Sequence, residues 1–331
     1  MIIETRAYAR AGLLGNPSDG YFGKTISVIV KNFGAHISLY QTPELRIEPQ
    51  SQDKLEFKNI NELVDSIRLN GYYGGTRLVR ATIKKFWEYC QMQNIRLESK
   101  NFTVRYHSNI PRQVGLAGSS AIITATMRAL MTFYKVKISK EMLPSVILSV
   151  ENEELGINAG LQDRVIQVYE GCVFMDFDKE LIQKENHGRY VALDPANLPK
   201  LFIAYRVDMS KISGTVLNDV RIRYEKGDEK VIEALKQIAD CAEQGKTAIQ
   251  NKDHQTLHTL MNRNFDLRCQ IMNIRDEDRE LVEKARECGA SAKFAGSGGS
   301  IIGMYTDDVM LNRLKVDLKK LKARVITPYI L

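Results

Sequence analysis

The chain has 331 residues, 44% of them hydrophobic and 26% charged, and its 47 basic and 40 acidic residues give a net charge of +7. This composition is typical of a soluble globular protein of one or two domains, and it excludes a disordered or fibrous chain. The small basic excess suits small anionic ligands. Nucleic acid is not expected as a partner, because the densest basic run, 315–324, alternates with apolar residues at helical spacing and predicts a solvated helix face.

The cysteines and the length of the apolar runs indicate in which cellular compartment the protein is expected. Five scattered cysteines without a CxxC pair predict neither a disulfide framework nor a zinc site. The first residues read as a strand rather than a signal peptide, and no apolar run approaches the roughly 18 residues that span a membrane. We therefore expect a reduced, cytoplasmic protein with no membrane partner.

The first third of the chain predicts strands and one helical region. Strands are expected over 4–14, 25–30 and 35–39, separated by turn-forming residues, and another over 102–107. Residues 60–96 predict a helix in two pieces, broken at 71–75.

The most informative stretch is 110–121, which reads IPRQVGLAGSSA and contains no GxxxxGK[ST]. Gly115 and Gly118 allow close approach of the backbone to a ligand, since glycine has no Cβ and tolerates a positive φ. An apolar helix predicted over 122–134 turns its free N–H groups and positive dipole end toward this loop, which suits phosphate. The residues alone fit equally well a turn in which Ser119 or Ser120 caps a buried helix, so both interpretations stay open.

The second half alternates helices and strands. A helix over 141–154 and a glycine-containing loop over 156–164 precede predicted strands over 165–169 and 172–177. A polar stretch over 178–200 places a domain boundary at 194, dividing the chain into 1–194 and 195–331. The remaining predicted elements are a strand over 201–207, a polar loop over 208–214, helices over 228–242, 254–272 and 276–288, a glycine-rich hairpin over 290–304, a final helix, and a strand over 324–331.

Three motifs, in this order, resemble those of the GHMP small-molecule kinases. The second is PRQVGLAGSSA, which has one residue, Gly118, more than the usual PxxxGLxSSA and in this form is similar to the plant-type glucuronokinases. The segments AGLQDRV, SGTVLNDVR and MNRNFDLR resemble the same branch, so the resemblance covers nearly the whole chain. The matching residues of the first and third motifs are Ala7, Ala9, Arg10, Leu13, Gly15, Asp19, Lys293, Gly296, Gly298 and Gly299.

The resemblance implies an α+β fold, with an N-terminal domain like ribosomal protein S5 domain 2 and a smaller C-terminal α+β domain. It also implies a kinase that transfers the γ-phosphate of MgATP to the anomeric hydroxyl of a uronic acid, with D-glucuronate as the first candidate. ATP would be bound by Pro111, Gly115, Leu116, Ala117, Gly118, Ser119, Ser120 and Ala121.

The same resemblance assigns the remaining roles. Asp163, twelve positions after Glu151 as in the sugar-kinase pattern, would orient or deprotonate the acceptor hydroxyl, and Arg10 would neutralise the transferring phosphate. Mg²⁺ would be held by Ser120 and Glu151, since this hard cation takes one or two carboxylates plus nucleotide phosphates. The expected substrate-binding residues are Asn16, Asp19, Gly298 and Gly299.

Two alternatives remain at this stage. One is another GHMP kinase that acts on a different sugar or on a mevalonate- or homoserine-like alcohol. Asn16-Pro17 stands where many sugar kinases have Glu-His, so the contacts to sugar hydroxyls must differ, and this departure points to a uronic acid. The other is a catalytically silent sugar sensor, against which the presence of Asp163, Glu151 and Ser120 speaks. A uronate carboxylate needs a cationic partner, for which the sequence offers Arg112, Arg164, Lys24 and Arg206 without ranking them.

Overall fold

The computed structural model describes residues 2–49, 53, 59–60, 74–207 and 215–330. Two compact units interleave along the chain. Unit 1 consists of Met1–Ala9, Phe33–Ile110 and Ala117–Val168, and unit 2 of Arg10–Asn32, Pro111–Leu116 and Tyr169–Leu331.

Unit 1 combines sheet and helices. The long strands β1 (Ile2–Leu14) and β2 (Lys24–Thr42) pair with each other, and each contributes residues to both units. In unit 1, positions 35–42 of β2 pair antiparallel with β4 (Asn101–Ser108), which pairs parallel with β3 (Arg46–Glu48). Its helices are α1 (Gly75–Met92), α2 (Gly118–Tyr134), α3 (Leu143–Ser149), which continues as a π-helical turn (Val150–Glu154), and α4 (Gln162–Tyr169).

Unit 2 contains two sets of strands. Positions 24–28 of β2 pair with β5 (Cys172–Asp176), which pairs with β6 (Arg189–Leu193). A separate antiparallel sheet has the order β10-β7-β9-β8, formed by β7 (Leu201–Arg206), β8 (Lys293–Phe294), β9 (Ser300–Met304) and β10 (Ala323–Ile326). The helices are α5 (Lys179–Glu185), α6 (Thr215–Glu225), α7 (Glu229–Gln250), α8 (His254–Ile271), α9 (Asp276–Glu287) and α10 (Asp308–Lys320).

Local sequence explains where these helices begin. Asp228, Asp253 and Asp307 precede α7, α8 and α10, and each accepts a hydrogen bond from a backbone N–H of the first turn. Such a cap satisfies donors that the helix itself leaves free, and typically contributes about 1 kcal/mol. Helices α7 and α8 pack against each other and form the largest helical contact of unit 2.

Two predictions of secondary structure from the sequence are wrong, one in β2 and one in α4. The strands expected over 25–30 and 35–39 are one strand, β2. Its first part pairs with β5 and its second part with β4, and between them the Gly34 N–H donates to Asn109 Oδ1 at 2.7 Å, so pairing continues through the expected turn. The strand expected over 165–169 is part of helix α4. A short apolar run fits a buried strand or a buried helix equally well, so its periodicity could not decide.

Other boundaries also differ. Helix α2 starts at Gly118 rather than at 122, with Ala117 in the left-handed conformation before it and no side-chain cap. The polar stretch 178–200 contains α5 and β6, and α6 follows later; none of these short elements was predicted. The first helical piece, before residue 74, and the polar loop over 208–214 lie outside the described residues.

Among the helices of the described residues, none is long and apolar enough to cross a membrane. The two units do not follow a single linear boundary, since each contains several segments of the chain. The division at 194 therefore stays a prediction.

Candidate active site

The stretch 110–121, one of the two segments expected to bind a ligand through their glycines, ends in unit 1 at the start of α2. Ala117 has φ 62°, and its backbone oxygen accepts from Ala121 N at 3.2 Å, which begins the helical hydrogen-bond ladder. By helix geometry the N–H groups just before Ala121, at Gly118, Ser119 and Ser120, have no acceptor within the helix. No acidic residue lies in the first turn. This helix start is therefore suited to an anion.

The first part of this stretch, Pro111–Leu116, belongs to unit 2, where it lies against the glycine-rich hairpin β8–β9. Gly115 has φ 70°, and its oxygen accepts from Arg10 Nη1 at 2.6 Å. The same Nη1 donates to Ala295 O at 3.1 Å, and Ser300 Oγ donates to Val114 O at 2.6 Å. A Cβ on Gly296 would lie only 2.2 Å from Gly115 O, so only glycine allows this approach. Arg10 thus ties the two loops together.

The predicted carboxylates lie in unit 1 and share one arginine. Glu151, in the π-helical turn, is 4% exposed, and its Oε2 accepts a hydrogen bond from Arg164 Nη2. Arg164 Nη1 lies 3.7 Å from Asp163 Oδ2 and donates to Gly160 O at 2.8 Å. Asp163 stands in the first turn of α4 with its side chain 20% exposed, where the helix dipole favours a carboxylate. The structure therefore supplies Glu151 with a partner that the sequence did not suggest.

Gln167 connects α4 to the start of α2. This fully buried side chain donates through Nε2 to Ala117 O at 3.0 Å and to Tyr8 O at 3.2 Å, while its Oε1 accepts from Thr124 Oγ1 at 3.2 Å. Because Gln167 lies one helical turn after Asp163, one helix bears both the predicted base and the support of the left-handed corner at Ala117.

The turn that bears the predicted substrate residues is anchored within unit 2. Asn16 is 5% exposed; its Oδ1 accepts from Lys293 Nζ, and its Nδ2 lies 3.5 Å from Phe294 O. Asn264 on α8 accepts from Gly15 N at 2.7 Å and donates to Asn16 O at 3.3 Å. The Asn16 side chain is therefore occupied by the protein, while Asp19 lies half-buried in the short 3-10 helix Ser18–Tyr21.

The glycine-rich hairpin is fixed by residues of α8 and α9. Asp278, 3% exposed, accepts from Gly299 N at 3.1 Å and is paired with Arg275 at 2.6 Å. Arg268, also 3% exposed, donates to Gly296 O at 2.9 Å. Gly298, next to Asp278, has φ 134°, a conformation that favours glycine.

Burial shapes the electrostatics of unit 2. Burial lowers the pKa of Arg268 to about 10, and it lowers the pKa of Lys293 well below its ordinary value of 10.5. The neighbouring charges of Arg268 and Arg10 lower the pKa of Lys293 further. Yet the Lys293 Nζ is surrounded by three oxygens, those of Gly12, Asn16 and Phe294, which suit three ammonium protons. The hairpin thus has two buried basic side chains, Arg268 and Lys293, and one buried carboxylate, Asp278, in contact with it.

The structure groups the predicted residues in two sets. In unit 1, Glu151 and Asp163 meet at Arg164, and the segment 117–121 is tied to the same helix α4. In unit 2, Arg10, Asn16 and the segment 111–116 are joined to the hairpin that contains Gly298 and Gly299. Sequence reasoning gave no role to Gln167, Asn264, Arg268 and Asp278. Asn264 and Arg268 lie in MNRNFDLR, a segment that the resemblance singled out without giving them roles. Gln167 and Asp278 could not be found from sequence, since their partners are distant along the chain.

Unit 1 thus contains a helix start suited to an anion and two carboxylates that share Arg164, and unit 2 contains a glycine-rich hairpin with buried cations, within an α+β protein. The family model "GHMP kinases N terminal domain" matches residues 77–171, and "GHMP kinases C terminal" matches residues 246–321. The chain belongs to the GHMP kinase family and is a kinase, which confirms the resemblance and the α+β fold expected from the sequence.

Relatives and solved structures agree with this assignment. The chain is 46% identical to glucuronokinase 1 of Arabidopsis thaliana over 91% of this chain and 84% of that protein. Among solved structures, the mevalonate kinase of Methanococcus jannaschii matches with a TM-score of 0.72 and 22% identity, over 100% of this chain and 98% of that one. The galactokinase of Lactococcus lactis, complexed with galactose, matches with a TM-score of 0.79 and 15% identity, over 99% and 93%. The two structural matches support the fold.

Proposed function

We propose that this kinase transfers the γ-phosphate of ATP to the anomeric hydroxyl of a uronic acid, with D-glucuronate as its substrate and glucuronate 1-phosphate as its product. The observation that supports the proposal most is the 46% identity to an Arabidopsis glucuronokinase across 91% of the chain. A second Arabidopsis protein, the probable glucuronokinase 2, is 47% identical over the same share.

The described residues fit a nucleotide phosphate. The N-terminus of α2 offers backbone donors without a competing acid, and Gly118 leaves room above them, since a Cβ there would meet only Ile110, at 3.5 Å. We assign phosphate binding to Pro111, Gly115, Leu116, Ala117, Gly118, Ser119, Ser120 and Ala121. Backbone donors that are already in place stabilise charge on a transferring phosphoryl group without reorganisation.

The donor set also fits Mg²⁺, which supplies charge neutralisation to the phosphates when bound. No group of three or more His, Cys, Asp or Glu side chains that could hold a metal occurs in the described part of the chain. This suits Mg²⁺, which keeps water and phosphate ligands and needs only one or two protein oxygens. We assign these to Ser120 Oγ and Glu151. Arg164 occupies Oε2 of Glu151, and no hydrogen bond to Oε1 occurs among the described residues.

The chemistry assigned to Asp163 is general base catalysis. Its carboxylate would orient the acceptor hydroxyl and accept its proton, as the oxygen forms a bond to the γ-phosphorus and the bond to the leaving diphosphate breaks. Arg10 would neutralise the transferring group. The sugar would be contacted by Asn16, Asp19, Gly298 and Gly299. Because the Asn16 side chain is hydrogen-bonded to Lys293 and lies 3.5 Å from Phe294 O, it would position the turn around it as well as contact the sugar.

The proposal includes the domain division and the compartment. The two family matches fall on either side of residue 194, which supports domains over 1–194 and 195–331. All five cysteines are free and four of them are buried, which suits a reduced cytoplasmic setting.

The experiment measures ADP release from MgATP with D-glucuronate, D-galacturonate, glucose, galactose and mevalonate, and identifies the product by ³¹P NMR. We expect glucuronate to be converted to a 1-phosphate with the highest kcat/KM. Turnover of galactose or mevalonate alone would contradict a uronic acid substrate and indicate another member of the family. Binding of sugar and ATP without phosphate transfer would favour a catalytically silent sensor.

A further inference from the structure

Three cationic side chains are buried around the glycine-rich hairpin of unit 2. Arg10, Arg268 and Lys293 are 7%, 3% and 1% exposed. A buried charge is costly unless it is paired and hydrogen-bonded, so each of these groups needs compensation. The three differ in how much of it the protein supplies.

Arg268 is compensated least. Lys293 is surrounded by three oxygens, and one Arg10 nitrogen already serves two backbone carbonyls. Arg268 donates through Nη1 to a single oxygen, that of Gly296, and its Nε faces the weakly accepting Sδ of Met272 at 3.2 Å. Its Nη2 donates to no residue in the described ranges, and no described carboxylate forms an ion pair with it. The guanidinium therefore retains donors for an anion.

The position of Arg268 relates it to the substrate residues. Asn264, one turn earlier on α8, holds the backbone of Gly15 and Asn16, while Arg268 holds Gly296 and lies over the ring of Phe294 at 5.0 Å. One face of α8 thus supports both the turn of Asn16 and the glycine-rich hairpin.

The surrounding charges leave this guanidinium positive. Asp19, Asp278 and Cys269 raise the pKa of Arg268 and Arg10 lowers it, but burial is the largest effect. With a pKa of about 10, the side chain stays charged at neutral pH.

We propose that Arg268 binds the carboxylate of the uronic acid and so makes the enzyme prefer a sugar acid to the neutral sugar. The inference rests on the proposed function and assigns the residue that reads its substrate class. A guanidinium binds a carboxylate through two parallel N–H donors. A site that is built for a carboxylate loses much of its kcat/KM with a ligand that has no carboxylate, because the buried donors are left without an acceptor. Two cations considered from the sequence already have acidic partners, since Arg164 pairs with Glu151 and Lys24 with Glu243.

The test compares kcat/KM for D-glucuronate and for glucose in the wild type and in Arg268→Lys, Arg268→Gln and Arg268→Met. Arg268→Gln retains a donor for Gly296 O but has no charge, so we expect its kcat/KM for glucuronate to fall at least about 100-fold, mainly through KM, while that for glucose stays within about threefold and the KM for MgATP does not change. Arg268→Lys retains the charge but not the two parallel donors, and should lose less of the preference than Gln. Arg268→Met also loses the contact with Gly296 O, so it should lower kcat/KM for both sugars, and that for glucuronate more.

Arg286→Met is the matched control. Arg286 also stacks on an aromatic ring, Phe265 at 5.3 Å, and donates to a hairpin carbonyl, Ala292 O at 3.3 Å, but it has an acidic partner, Asp266 at 2.8 Å. We expect this variant to leave the glucuronate-to-glucose ratio as in the wild type, even if its Tm falls.

The outcomes separate the inference from the proposed function. Wild-type protein without glucuronate turnover would overturn the proposed function itself. A wild type that prefers glucuronate, together with folded Arg268 variants that keep the same preference or lose both sugars in equal measure, would overturn the assignment of Arg268. A collapse of the preference in the Arg268 variants alone supports it.

Discussion

The contact of Gly296 with Gly115 supports a quantitative prediction. A Cβ at Gly296 would lie 2.2 Å from Gly115 O and 2.9 Å from Arg10 Nη1. Carbon and oxygen in ordinary contact stay about 3.3 Å or more apart, so Gly296→Ala requires the two loops to separate by roughly 1 Å. Overpacking of this kind costs about 1–3 kcal/mol. A displacement of about 1 Å near a reacting group can lower a rate about 10²-fold.

The assay combines thermal unfolding with steady-state kinetics. We expect Gly296→Ala to lower the Tm by about 1–2 °C for each kcal/mol lost in a chain of 331 residues, and kcat/KM for ATP by about 10²-fold, because Gly115 lies in the segment that we assign to phosphate binding. Gly20→Ala is the matched control, since nothing lies within 4 Å of a Cβ there. It should leave the Tm unchanged within about 1 °C.

The result that refutes this reasoning is a Gly296→Ala protein with the Tm and the kcat/KM of the wild type. It would mean that the loops adjust without cost and that their close approach does not position the nucleotide.

Three further changes test the remaining roles. Asp163→Asn should lower kcat by at least about 10² while the Kd for MgATP, measured by calorimetry, stays the same; full activity would place the base elsewhere. Glu151→Gln should raise the Mg²⁺ concentration needed for half-maximal activity. Because it removes the nearer of the two carboxylates from the buried Arg164 charge and leaves Asp163 Oδ2 at 3.7 Å, it should also lower stability, by up to about 3–5 kcal/mol; an unchanged Mg²⁺ titration would remove Glu151 from the metal site. Lys293→Met addresses pH. Since the folded pKa of Lys293 lies below 10.5, the unfolded chain binds more protons above that folded pKa, so the wild type gains stability as the pH rises toward 10.5. The Met variant lacks this contribution, and thermal melts between about pH 6 and about pH 10 in which both proteins change in parallel would contradict the shift.

The family could be predicted from sequence because three motifs resemble those of its members in the same order, and the glycines of those motifs also indicate local geometry. Gly115 and Gly298 have the positive φ that only glycine adopts without strain, and Gly296 lies where any Cβ would collide. The helices that follow an aspartate cap, such as α7, α8 and α10, were also predictable, since capping depends on neighbouring residues alone.

The short elements were less predictable. Residues 165–169 form a helix rather than a strand, and β2 continues through Asn32–Gly34, because the pairing of β2 with β4 and β5 and the burial of α4 outweigh local preference. A run of five residues, in which only Gln167 interrupts the apolar side chains, contains too little periodicity to distinguish the two structures.

The sequence by itself predicted which residues would meet the ligand, namely the glycines of two loops, the carboxylates Glu151 and Asp163, and Arg10, and their roles stay predictions. Only the tertiary structure decided how their charges are balanced. The ion pair of Glu151 with Arg164, and the barely compensated guanidinium of Arg268, depend on burial and on partners brought together by folding. The physical reason is that desolvation and pairing act through space over a few ångströms, whereas sequence records only order along the chain.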